Sequence, residues 1–144
     1  MVVSTSRPSV ARVAAASAKP AALSVLVVDD LLEFRDMYAR FFHYAGVGVT
    51  TAIDGLEALD IAQQYPPDAI ILDLSMPGMG GLDFLKAAQS DSRLRAIPVV
   101  VITAYGKADS EHQALAAGAS AFLEKPCVPS ELLAVVQRIA GRVL

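Results

Sequence analysis

The chain has 144 residues, is 54% hydrophobic and 19% charged, and carries a formal net charge of -3. That is enough apolar material for one packed domain and too much for a disordered chain. Arg7, Arg12 and Lys19 stand in the first 28 residues with no acid, a local +3, so the remainder carries -6, a balance that argues against nucleic acid as a direct partner.

Residues 1–22 are rich in Ala, Ser and Val. They are expected to form a disordered tail ahead of a domain spanning 23–144. Val25-Leu26-Val27-Val28 is a continuous aliphatic run, as a strand buried on both faces requires, and it ends in Asp29-Asp30. Asp30 stands three residues before Glu33, the spacing of a capping box, so Asp30 is expected to cap the first helix. Phe34, Met37, Tyr38 and Phe41 recur at helical spacing up to the stop at Gly46. Val47–Ala52 reads as a second strand. Asp54 and Glu57 repeat the cap spacing, and Pro66-Pro67 ends that helix.

Ala69–Leu72 is a third apolar run, ending in Asp73. Pro77-Gly78 forces a turn, and Leu82–Gln89 reads as the third helix. Ile97–Ile102 is the fourth strand and runs into Thr103. Asp109–Ala117 is an Ala-rich helix closed by Gly118. Ala121–Leu123 is a short fifth strand that runs through Glu124 into Lys125-Pro126, and Pro129 opens a last helix. Five strands alternating with five helices predict an α/β fold, a parallel sheet covered on both faces, with no linker or second domain. Cys127, the only cysteine, excludes an internal disulfide and fits a reducing, cytoplasmic setting. No run reaches the roughly 18 apolar residues of a membrane span.

In parallel strands every polar signal falls on the carboxyl edge, where open α/β sheets bind ligands. Asp29, Asp30, Asp73, Thr103 and Lys125 would share one pocket. Three clustered carboxylates repel one another unless a cation joins them, and hard oxygen ligands with room for water suit Mg²⁺.

These residues resemble the receiver domain of two-component response regulators. Val27-Val28-Asp29-Asp30, Asp73-Leu74-Ser75-Met76-Pro77-Gly78 with Gly81 beyond, Thr103-Ala104 and Gly118-Ala119 leading to Lys125-Pro126 stand in that family's order and spacing over roughly residues 23 to 143. The resemblance implies a flavodoxin-like three-layer sandwich with sheet order 2-1-3-4-5. It implies that Asp73 accepts a phosphoryl group from a histidine kinase or histidine phosphotransfer protein. Asp30, Asp73 and the Ser75 backbone carbonyl would hold Mg²⁺, with Asp29 acting through water. Lys125, preceding a cis peptide bond to Pro126, would pair with Asp73 and later with phosphoryl oxygens. Thr103 and Phe122 would form a switch, although Phe122 lacks the hydroxyl of the tyrosine many members carry. The output would be binding of another protein through the face of the fourth helix, fifth strand and fifth helix, with no nucleic acid or membrane involved. Tyr105, two residues after Thr103, would shield the acyl phosphate.

Two other readings compete. The same fold could serve as an interaction module without phosphorylation. An enzyme acting on phosphate esters is disfavoured. Ser75 stands where an Asp-nucleophile phosphatase keeps its general acid, and no glycine loop of nucleotide enzymes is present.

Overall fold

A computed structural model describes residues 22–74, 76, 79–104 and 108–141. Five strands, β1 (Ser24–Val28), β2 (Gly48–Ala52), β3 (Ala69–Asp73), β4 (Val99–Thr103) and β5 (Ala121–Glu124), form one sheet in the order β2-β1-β3-β4-β5. Every neighbouring pair is parallel. Helices α1 (Leu32–Tyr44), α2 (Gly55–Gln64), α3 (Gly81–Gln89), α4 (Ala108–Ala116) and α5 (Pro129–Ala140) alternate with the strands.

Two-residue alternation sorts the strand side chains into two cores. Leu26, Val28, Ile70, Leu72 and Val101 pack against Ala62 of α2, Phe84 of α3 and Ala114 of α4. Val25, Val27, Ile71, Val100 and Ile102 pack on the opposite face against Tyr38 and Phe42 of α1 and Leu132 and Val136 of α5. β3 and β4 are buried along their whole length, so their near-continuous aliphatic runs have apolar neighbours on both sides. β2, at the sheet edge, exposes three of its five residues.

The sheet reverses its winding between β1 and β3, the crevice where doubly wound folds bind ligands. The register pairs Val28 with Leu72, which brings the next residues, Asp29 and Asp73, to the same crevice.

Local signals fare unevenly. Asp54 caps α2 as its spacing predicts, with its Oδ1 accepting the Glu57 N–H at 2.9 Å, and Glu57 accepts the Ile53 N–H in return. Gly46 and Gly118 stop α1 and α4 at positive φ, 85° and 111°. Asp30 does not cap α1: the cap position is Leu31, with no side-chain hydrogen bond. Asp29 takes the turn instead, its Oδ1 accepting the Leu31 N–H at 2.9 Å. Asp30 stays one residue too far from the helix start and is left to the pocket. β4 begins two residues later than the sequence suggests, because Ile97 and Pro98 close the preceding turn; Pro98 lends only its carbonyl, to Ile70.

Candidate functional site

The pocket is built from strand ends. Asp73, Thr103 and Glu124 are the last residues of β3, β4 and β5, while Asp29 and Lys125 directly follow β1 and β5. Carboxylate oxygens of Asp29, Asp30 and Asp73 lie within 4.8 Å of one another. Asp29, Asp73 and Thr103 are buried. The main chain locks the last strand end in place: the Lys125 N–H donates to the Thr103 carbonyl at 2.8 Å, and the Lys125-Pro126 peptide bond is cis.

Lys125 reaches across from β5 to the acids. Its Nζ lies 2.7 Å from Asp29 Oδ2 and 3.6 Å from Asp73 Oδ2, and the side chain is 3% exposed. The sequence pointed to Asp73 as its partner; the shorter pairing is with Asp29. Asp29 is also held through its main chain, where Arg35 Nη1 donates to its carbonyl at 2.7 Å.

Two aromatic residues of α1 complete the surroundings. The Phe34 ring lies under Lys125 Nζ, 4.0 Å from centroid to nitrogen. Tyr38 stacks on Phe34 at 6.4 Å, and its hydroxyl donates to the Cys127 carbonyl at 3.3 Å. Burial pushes the Tyr38 pKa up to about 12, helped by repulsion from Cys127 once that thiol ionises in alkali and from the Asp29 carboxylate. Burial likewise raises the Cys127 thiol, with Glu131 adding to it, so Cys127 is a small buried group and not an activated nucleophile. The sequence placed Phe34 and Tyr38 on the buried stripe of α1 and no further. The one available signal was the Tyr38 hydroxyl, which needs a partner when buried.

Phe122 lies beside Val101 in the β4–β5 pairing, on the sheet face that Val101 shares with Thr103. It packs partly buried against the core under α4. Ser75, Pro77, Gly78 and Tyr105 lie outside the described residues. Gly81 approaches Asp73 closely: a Cβ there would stand 2.6 Å from the Asp73 carbonyl oxygen.

The donor set suits a hard divalent cation. Asp30 Oδ1 is buried without a hydrogen-bond partner among the described residues, beside two further carboxylates and the Lys125 ammonium. An unpaired buried carboxylate oxygen is costly unless a ligand meets it, and carboxylates in small number fit Mg²⁺.

Comparison with known proteins places this arrangement. Residues 25–137 match the response regulator receiver domain. The chain is 36% identical over 121 residues to response regulator Rre1 of Synechocystis, covering 83% of this chain and 52% of that protein. It is 29% identical over 118 residues to the polar-differentiation response regulator DivK of Brucella anthropi, covering 82% and 96%. The chemotaxis protein CheY4 of Vibrio cholerae superposes with a TM-score of 0.79 at 38% identity, over 83% of this chain and 99% of that one. The chain spans about half the length of the first curated relatives it matches. It belongs to the receiver domain family of two-component response regulators. Receiver domains are signalling domains that bind Mg²⁺ at their acidic pocket and act between histidine kinases and downstream targets. Among the described residues no helix is long and apolar enough to cross a membrane.

Proposed function

We propose that Asp73 accepts a phosphoryl group from a histidine kinase or histidine phosphotransfer protein in a Mg²⁺-dependent reaction, and that the modification switches binding of another protein. The charge balance of the pocket carries this reading. Among the described residues, three carboxylates face one ammonium, a formal -2, while the Arg35 guanidinium is bonded to the Asp29 main chain and not to a carboxylate. A dication restores neutrality where water cannot. Asp30 and Asp73 would hold it directly with the Ser75 main-chain carbonyl, and Asp29 through water. When bound, the cation offsets the charge of the phosphoryl oxygens.

An Asp73 carboxylate oxygen attacks phosphorus, the P–N bond to the donor imidazole breaks, and the imidazole leaves with the electron pair. The product is an acyl phosphate. Lys125, which stands between Asp29 and Asp73, pairs with a phosphoryl oxygen, and the Thr103 hydroxyl donates to another. Later, a water oxygen bonds to phosphorus and the P–O bond to Asp73 breaks, which restores the carboxylate and releases inorganic phosphate. As Thr103 turns towards the phosphoryl group, Phe122, packed beside Val101 on the same sheet face, moves into the space it leaves. That shift alters the α4–β5–α5 face, where the target protein binds.

Incubation with acetyl phosphate and Mg²⁺ tests the reading. Wild type is expected to gain one phosphoryl group by mass, lost in Asp73→Asn and in the presence of EDTA. A wild type that gains none overturns it. Partner capture that is the same for wild type and Asp73→Asn supports the phosphorylation-independent module instead.

A further inference from the structure

Helix α1 touches both members of the buried ion pair. Its N-terminal end holds Asp29, through the N–H of the cap residue Leu31 and the Arg35 guanidinium of the first turn. In the first turn and one turn on, Phe34 and Tyr38 reach the segment after β5: the Phe34 ring faces the Lys125 ammonium at 4.0 Å, and the Tyr38 hydroxyl holds the Cys127 carbonyl at 3.3 Å. The stacking of Phe34 on Tyr38 couples the two contacts. Lys125 is therefore gripped at its charged tip and, two residues later, at its main chain, by neighbours on one helix face.

We propose that Phe34 and Tyr38 are positioning residues for Lys125, and that the Phe34 ring fixes where the ammonium stands between Asp29 and Asp73. A lysine side chain has four carbons of freedom, and two carboxylates 2.7 and 3.6 Å away attract its tip without defining its place. With the side chain 3% exposed, water does not compete with the ring, and the negative face of a π-system attracts a desolvated cation strongly. An ammonium already in place costs no reorganisation when charge builds on the phosphoryl oxygens. The consequence for rate rests on the proposed phosphorylation of Asp73; the positioning itself does not.

The experiment has two arms. In the first, NMR of the protein carrying ¹³C-labelled lysine locates the Lys125 Cε protons, assigned by their loss in Lys125→Arg. Wild type is expected to show them shifted upfield by the ring current; Phe34→Leu returns them to the ordinary lysine position, and Phe34→Tyr keeps the shift. In the second, Asp73 phosphorylation by acetyl phosphate is timed. Phe34→Leu is expected to slow it about three- to tenfold, part of the roughly thirtyfold that one desolvated cation–π contact is worth. Phe34→Tyr restores the rate, and Tyr38→Phe, which removes one hydroxyl, slows it less. General damage to the pocket weakens Mg²⁺ binding and slows phosphorylation together, and Phe34→Tyr does not repair it. Should Phe34→Leu not fold, Phe34→Met replaces it in both arms. A wild-type rate in the leucine or methionine variant, or an unshifted Lys125 signal in wild type, overturns the proposal. A wild type that takes up no phosphoryl group while keeping the shifted signal overturns the function and leaves the positioning standing.

Discussion

Lys125 and Asp29, 96 residues apart in the sequence, form a buried ion pair at 2.7 Å. Lys125→Met removes the cation and leaves Asp29 and Asp73 facing each other without it. In metal-free buffer the variant is expected to lose about 3 kcal/mol of stability, as when one member of a buried pair is deleted. Urea unfolding measures this. Added Mg²⁺ is expected to recover part of the loss, because an ion that binds only the folded state stabilises it. Equal unfolding midpoints for wild type and variant without metal would contradict the pairing.

Asp30 predicts the opposite sign. Its Oδ1 has no hydrogen-bond partner among the described residues, and its charge adds to the repulsion of two neighbouring carboxylates. Asp30→Asn keeps the shape and removes the charge, so the metal-free protein is expected to gain about 1 kcal/mol. The same change is expected to abolish the stabilisation that Mg²⁺ gives wild type. Unfolding curves with and without Mg²⁺ check both halves, and a destabilised, still Mg²⁺-responsive variant would refute the assignment.

The contrast between these residues shows what the sequence carries. The meeting of Asp29, Asp30 and Asp73 was legible, because each follows an aliphatic run and parallel strands align their carboxyl ends. The role of Asp54 was legible too, since a capping box is a matter of three residues. The same rule failed at Asp30, because the tight turn at Asp29–Leu31 started the helix one residue late. Lys125's preference for Asp29 over Asp73 was not legible. It depends on a difference under 1 Å between two oxygens at the ends of different strands, which spacing along the chain does not encode. Helical periodicity put Phe34 and Tyr38 on one face but could not say that this face meets Lys125 and Cys127.

Gly81 ties backbone packing to the site. A Cβ there would stand 2.6 Å from the Asp73 carbonyl oxygen and 2.7 Å from Leu74 Cα, both main-chain atoms that cannot swing aside. Gly81→Ala is expected to cost about 1–3 kcal/mol, the usual penalty for overpacking. Because the displaced atoms belong to Asp73 and its neighbour, Mg²⁺ affinity is expected to fall as well. Thermal unfolding and an Mg²⁺ titration test the two effects. A stable variant with wild-type affinity would show that α3 yields to the methyl group at no cost to the site.

Tyr38 makes a prediction in alkali. Its pKa is pushed up to about 12 in the folded protein, from an ordinary value of 10.0. Above the ordinary value the unfolded chain loses the phenolic proton while the folded protein keeps it, so the unfolded state binds fewer protons and stability falls as pH rises. Tyr38's contribution is thus fully present below pH 10 and is lost as pH approaches 12. Other groups titrate in the same range, so the informative quantity is the difference between wild type and Tyr38→Phe, which keeps the ring and removes the proton. Wild type is expected to lose stability more steeply than Tyr38→Phe across this interval in urea unfolding followed by far-ultraviolet circular dichroism. Parallel curves would mean that the hydroxyl does not sit in the dry surroundings from which the shift arises.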